Sequence, residues 1–123
     1  MRIFHKTESW NSKVNFVDEN DRFVGFDTDQ YCCEDADWFI ADTPQSTTQE
    51  DAIQPEEMAG WLFDPDFFEE VNGGEFDQGG MVIFRMCKGG EEKFLHLYNC
   101  HNGYYSHGFT SGQGDVTERN ECI

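Results

Sequence analysis

The sequence is poor in positive charge: 8 Lys and Arg stand against 25 Asp and Glu, giving a formal net charge of −17 and a sequence pI near 4.2. A protein neutralises phosphates with Lys and Arg, and a field of this sign repels a polyanion. Direct nucleic-acid binding is therefore excluded, and docking on an anionic membrane surface with it. Long apolar runs are missing too. The longest, Met81 to Met86, contains Arg85 and falls far short of a membrane span, and Met1 to Ser9 lacks the apolar stretch of a signal peptide. These absences predict a soluble, cytoplasmic protein.

Several sequence signatures are absent as well. The pairs Gly73-Gly74, Gly79-Gly80 and Gly89-Gly90 have neither of the glycine spacings that cradle phosphate, so they read as turns. No serine sits in a Gly-x-Ser-x-Gly elbow. Asp27-x-Asp29 and Asp35-x-Asp37 begin like calcium loops, but neither continues with the central Gly and terminal Glu that such a loop needs. No repeat, low-complexity tract or linker divides the chain.

What is present is aromatic and acidic. Twelve Phe, 4 Tyr and 3 Trp bring aromatics to 15% in 123 residues, enough to build a core that a disordered acidic tail lacks. A chain of this length folds as one domain, residues 1–123, burying roughly two-thirds of the surface that its unfolded form exposes. The acid is unevenly spread. From Phe23 to Phe84, 62 residues carry 16 carboxylates and no cation. Such a segment cannot neutralise itself: its carboxylates stay solvated, bind cations, or face a basic partner. Asp35, Asp37, Glu56 and Glu57 are the candidate contact residues.

Five cysteines, Cys32, Cys33, Cys87, Cys100 and Cys122, are an odd number in a chain without an export signal, so reduced thiols are expected. Neighbouring Cα atoms sit about 3.8 Å apart where a relaxed disulfide prefers about 5.5 Å, so Cys32 and Cys33 do not bridge each other. Their adjacency also suits zinc poorly, even if Cys100-His101 were brought close. No metal and no cofactor are expected.

The predicted fold class is α+β, mainly antiparallel sheet with short helices in the acidic middle. Ser12–Asp18 and Arg22–Phe26 read as an N-terminal hairpin around Glu19-Asn20-Asp21, and Trp38-Phe39-Ile40 as a further strand. One or two short helices are expected between Ser46 and Leu62, with another helical turn over Asp64–Val71, because Pro and acids favour first turns. Met81–Cys87, Glu92–Asn99 and Tyr104–Thr110 read as a three-stranded meander with turns at Gly89-Gly90 and Asn102-Gly103. Gly112–Ile123 reads as frayed.

A second candidate site is a pocket of Cys32, Cys33, Glu34, His96, Tyr104, Tyr105 and Ser106. On alternating strands His96 shares a face with Tyr98, and Tyr105 with His107, so imidazoles and phenols converge across a ladder. A Cys-His pair activates a thiolate, but Cys100-His101 falls in a predicted turn with no oxyanion signature. Packing of these aromatics is the competing reading.

Gln30-x-Cys32-Cys33-Glu34, together with Asn102-Gly103-Tyr104-Tyr105-Ser106, resembles the two motifs of a family of small uncharacterised bacterial and phage proteins. The resemblance covers about ten residues directly, and the acidic stretch from Thr43 to Asp77 departs from it. It implies a small β-rich fold and a mobile-element context, and it carries no catalytic assignment. Three readings follow: an interaction protein whose carboxylates meet a basic partner, a small enzyme or ligand-binding domain at the Cys-Cys-Glu and Tyr-Tyr-Ser segments, and a module whose charge only keeps it soluble. The oligomeric state is left open, a homodimer included.

Overall fold

In a computed structural model, residues 2–8, 11–28, 35–44, 58–72, 79–100 and 107–123 are described. They form nine strands: β1 (Arg2–Glu8), β2 (Asn11–Val17), β3 (Arg22–Asp27), β4 (Asp35–Ala41), β5 (Leu62–Asn72), β6 (Gly79–Lys88), β7 (Glu91–Cys100), β8 (Gly108–Gln113) and β9 (Val116–Cys122). Every pairing is antiparallel. One sheet runs β1-β2-β3-β8-β9 and the other β4-β7-β6-β5. The first sheet is thus built from both parts of the chain that flank the second.

Alternation explains how the sheets pack. Val14, Phe16, Val24, Phe26 and Phe109 point inward from the five-stranded sheet, and Ile40, Val82, Phe84, Met86, Leu95 and Leu97 meet them from the four-stranded one. Each such side chain contributes about 1.5–3 kcal/mol by leaving water. Phe68 stands in the middle of an aromatic group, 5.3 Å from Phe84 and 6.0 Å from Phe109. The four-stranded sheet is apolar on its other face as well, where Phe39, Ala41, Met81, Ile83, Phe94 and Tyr98 form a second buried cluster. Strands buried on both faces read as continuous apolar runs, which is why Met81–Met86 shows no alternation.

The hairpin expected at the N-terminus is β2–β3, with Phe16 opposite Val24 and Val14 opposite Phe26. β6 and β7 also pair as expected, turning at Gly89 and Gly90 with φ of 58° and 88°. Positive φ at both central residues is what a two-residue hairpin turn demands and what glycine supplies without strain.

Four expectations are corrected. The fold class is all-β and not α+β, with no helix among the described residues. Asp64–Val71, read as a helical turn, lies in β5, where the register shifts between Phe63 and Phe68. That irregularity takes in Pro65, whose missing N–H is tolerated on an edge strand at a bulge. The expected helices between Ser46 and Leu62 fall mostly on residues 45–57, outside the described ones. The meander stops at two strands. β7 is already paired on one side with β6 and on the other with β4, so β8 joins the other sheet, between β3 and β9. The expected turn at Asn102-Gly103 lies outside the described residues. Finally, Gly112–Ile123 is not frayed: β9 pairs with β8, and Ile123 exchanges both backbone hydrogen bonds with His107, at 2.8 and 2.9 Å.

Candidate functional site

The described cations are largely occupied within the molecule. Arg22 forks onto Glu118, with Nη1 and Nη2 at 3.1 and 3.3 Å from the two carboxylate oxygens, and this contact holds the Glu118 carboxyl below its ordinary range. Arg85 donates to Asp64 through Nε at 2.9 Å and also through Nη2. The Asp64 carboxyl is lowered, first by accepting the Asp66 backbone N–H and then by Arg85, while Arg85 is raised by the same partner. Lys93 meets Asp42 at 3.0 Å, Lys88 donates to the Ala59 carbonyl, and Arg119 lies 3.7 Å over the Phe68 ring. The acid is left over. Asp66, Glu69 and Glu70 are exposed on β5, and no cation among the described residues is set against them.

The candidate contact residues are placed unequally. Asp37 is half-buried on β4, its Oδ1 accepting the Trp38 N–H at 2.8 Å. Asp35 opens β4 opposite Cys100. Glu56 and Glu57 lie outside the described residues.

Of the second candidate pocket only His96 is described, since Cys32, Cys33, Glu34, Tyr104, Tyr105 and Ser106 all lie outside. Both resemblance motifs lie there too. His96 does share a face with Tyr98, in the outer cluster of the four-stranded sheet. It is fully buried and stacked on Phe39 at 4.3 Å and 10°. Burial lowers its pKa, although both ring nitrogens face carbonyls, Nδ1 that of Phe94 at 3.1 Å and Nε2 that of Pro44 at 3.4 Å. His107 is in a different place, just before β8, with Nδ1 at 2.9 Å from the Asp27 carbonyl oxygen. The two imidazoles are therefore assigned to separate layers. Cys87 is half-buried and its thiol is raised, chiefly by burial and then by the Asp64 carboxylate, which disfavours a reactive thiolate. Among the described residues no group of three His, Cys, Asp or Glu side chains is arranged to hold a metal.

Two hollows remain. One lies between the sheets among Arg22, Phe63, Phe68, Phe84, Ser111 and Arg119, and its 40 Å³ has room for little more than one water. The other, about 170 Å³, opens on the outer face of the five-stranded sheet among Lys13, Asn15, Gly25, Asp27, Gly108, Thr110 and Asn120. Of these residues the sequence singles out only Asp27, as the first acid of the Asp27-x-Asp29 pair. A glycine interrupting the β-type run Phe23–Phe26 was the available signal, since glycine inside a strand marks a close approach.

Comparison with protein-family models, with curated proteins and with solved structures finds no match to this chain. Among the described residues no helix is long and apolar enough to cross a membrane.

Proposed function

We propose that the chain is a non-enzymatic interaction module of the cytoplasm, of bacterial or mobile-element type, that engages a basic protein through carboxylates of its 27–77 segment. One observation carries the reading: Arg22, Arg85 and Lys93 are engaged by carboxylates of the same molecule, while Asp66, Glu69 and Glu70 are each exposed along the edge strand β5, Glu69 and Glu70 on its opposite faces. A cationic surface relieves their mutual repulsion and is steered to them at low salt. The register shift and Pro65 interrupt the open edge of β5, which disfavours addition of a partner's strand and leaves side-chain charge as the means of contact.

The test is titration of the full chain with a fluorescent decalysine peptide across a sodium chloride series. Binding should weaken steeply with salt. Replacing Asp66, Glu69 and Glu70 by their amides should weaken it about fivefold or more at low salt, as should the set Asp35, Asp37, Glu56 and Glu57. Amides at Glu19, Glu91 and Asp115, equal in number to the first set but outside the segment, should do less. If affinity ignores salt, or if all three sets act alike, the carboxylates are only a solvated surface.

A further inference from the structure

The outer face of the five-stranded sheet carries two aligned rows. In the first, Asn15 stands opposite Gly25, Gly25 opposite Thr110, and Thr110 opposite Asn120, a polar line across β2, β3, β8 and β9. In the second, Lys13 stands opposite Asp27, and Gly108 opposite Cys122. With strands about 4.8 Å apart, the first row spans about 14 Å. Gly25 and Gly108 sit on neighbouring strands one row apart, and together they lower the floor of the 170 Å³ hollow.

Gly25 leaves the space between two polar side chains open. A Cβ at this position would stand 2.8 Å from Asn15 Oδ1 and 3.0 Å from Thr110 Oγ1, so the two polar atoms lean over the glycine from opposite sides. Among the described residues no hydrogen bond claims the side chain of Asn15, Thr110 or Asn120. Their amides and hydroxyl are presented to whatever fills the hollow.

The lining selects the ligand. Amides and a hydroxyl both donate and accept, Asp27 accepts and Lys13 donates, whereas the one aromatic lining residue, Phe26, belongs to the core between the sheets. An apolar ligand would leave these groups unpaired. An anion is opposed by Asp27 and by a net charge of −17. The volume equals that of about six waters at about 30 Å³ each, the size of one small ring with its hydroxyls. We infer that this groove binds a neutral polyhydroxylated ring, a single sugar residue, with Asn15, Thr110 and Asn120 as its hydrogen-bonding row and Lys13 and Asp27 closing one end. The inference rests on a different face from the carboxylates of β5 and stands independently of the basic-partner reading.

The experiment is an amide-resolved NMR titration of the full chain with D-glucose, D-galactose, D-mannose and myo-inositol, and with D-glucuronate as the anionic control. Ligands of this size bind with dissociation constants on the order of millimolar. At least one neutral ring should give saturable shifts confined to Asn15, Gly25, Thr110, Asn120 and their neighbours, with glucuronate about tenfold weaker. Asn15→Ala and Thr110→Val should each weaken binding about fivefold. Asn120→Ala, at an exposed edge position that leaves the fold intact, should do the same and keeps the test decisive if the other variants misfold. The assignment is overturned if none of the four neutral rings gives a saturable shift, if glucuronate binds as well as they do, or if Asn120→Ala changes nothing.

Discussion

The carboxylate of Asp18 joins the two sheets, because its Oδ2 accepts the backbone N–H of Phe63 at 2.9 Å across 45 residues of sequence. Its Oδ1 meanwhile accepts the N–H groups of Asn20 and Arg22 at 2.8 and 3.0 Å, shaping the β2–β3 turn in which Asp21 takes φ of 61°. One buried side chain thus sets a local turn and the seat of β5 at once.

Asp18→Ala should therefore cost about 3 kcal/mol or more, since three backbone donors lose a charged acceptor and one of them is buried. Urea denaturation should show a lower midpoint at unchanged slope. A loss below about 1 kcal/mol would show that water replaces the carboxylate readily.

His96 makes stability depend on pH. Its folded-state pKa lies below the ordinary 6.5 because burial disfavours the charged ring. Above that value neither state binds the proton. As pH falls below it, the unfolded chain takes up a proton that the folded chain refuses, so stability declines until the folded pKa is reached, by at most about 1.4 kcal/mol per pH unit. Urea melts of the wild type between pH 7.5 and 5.5 should show this decline, and His96→Gln should flatten it. Equal slopes in the two proteins would refute the assignment.

Arg119 stabilises by stacking more than by charge pairing. Its guanidinium lies over Phe68, whereas its contact with Glu121 is exposed and 3.5 Å long. Arg119→Ala should cost about 1 kcal/mol and Arg119→Lys a good part of that, while Glu121→Gln should cost almost nothing. Thermal melts of the three variants separate the two contributions.

Ile123 should behave as a core residue. It is 8% exposed, belongs to the cluster between the sheets, and its carbonyl accepts the Asn99 side-chain amide at 2.9 Å. Ile123→Ala should cost about 2 kcal/mol in urea denaturation. A change within about 0.5 kcal/mol would be that of a residue on the surface.

Hairpins were the most legible part of this protein. Gly89-Gly90 between two β-type runs, and Glu19-Asn20-Asp21 between two others, state turn and pairing within a few residues. β9 was illegible for the opposite reason: Val-Thr-Glu-Arg-Asn-Glu-Cys has exposed side chains throughout, so no alternation of apolar and polar residues marks it as a strand. β5 was misread because Pro and carboxylates suit a helix start as well as the irregular edge of a sheet. Of the candidate site residues, Asp37 and His96 took their places from their strands, yet the stacking of His96 on Phe39 depended on a register that its own strand does not contain.

By itself the sequence determined the sign of the field, the aromatic core and the two tight hairpins, all of which follow from composition or from residues close together in the chain. Only the tertiary structure decided which strands share a sheet. β8 follows β7 along the chain but pairs with β3, because β7 has no free side and Phe109 must reach the core beside Phe26. The row from Asn15 to Asn120 exists for the same reason: two hairpins distant in sequence, β2–β3 and β8–β9, are aligned by the backbone pairing of β3 with β8, and only then do an amide and a hydroxyl meet over Gly25.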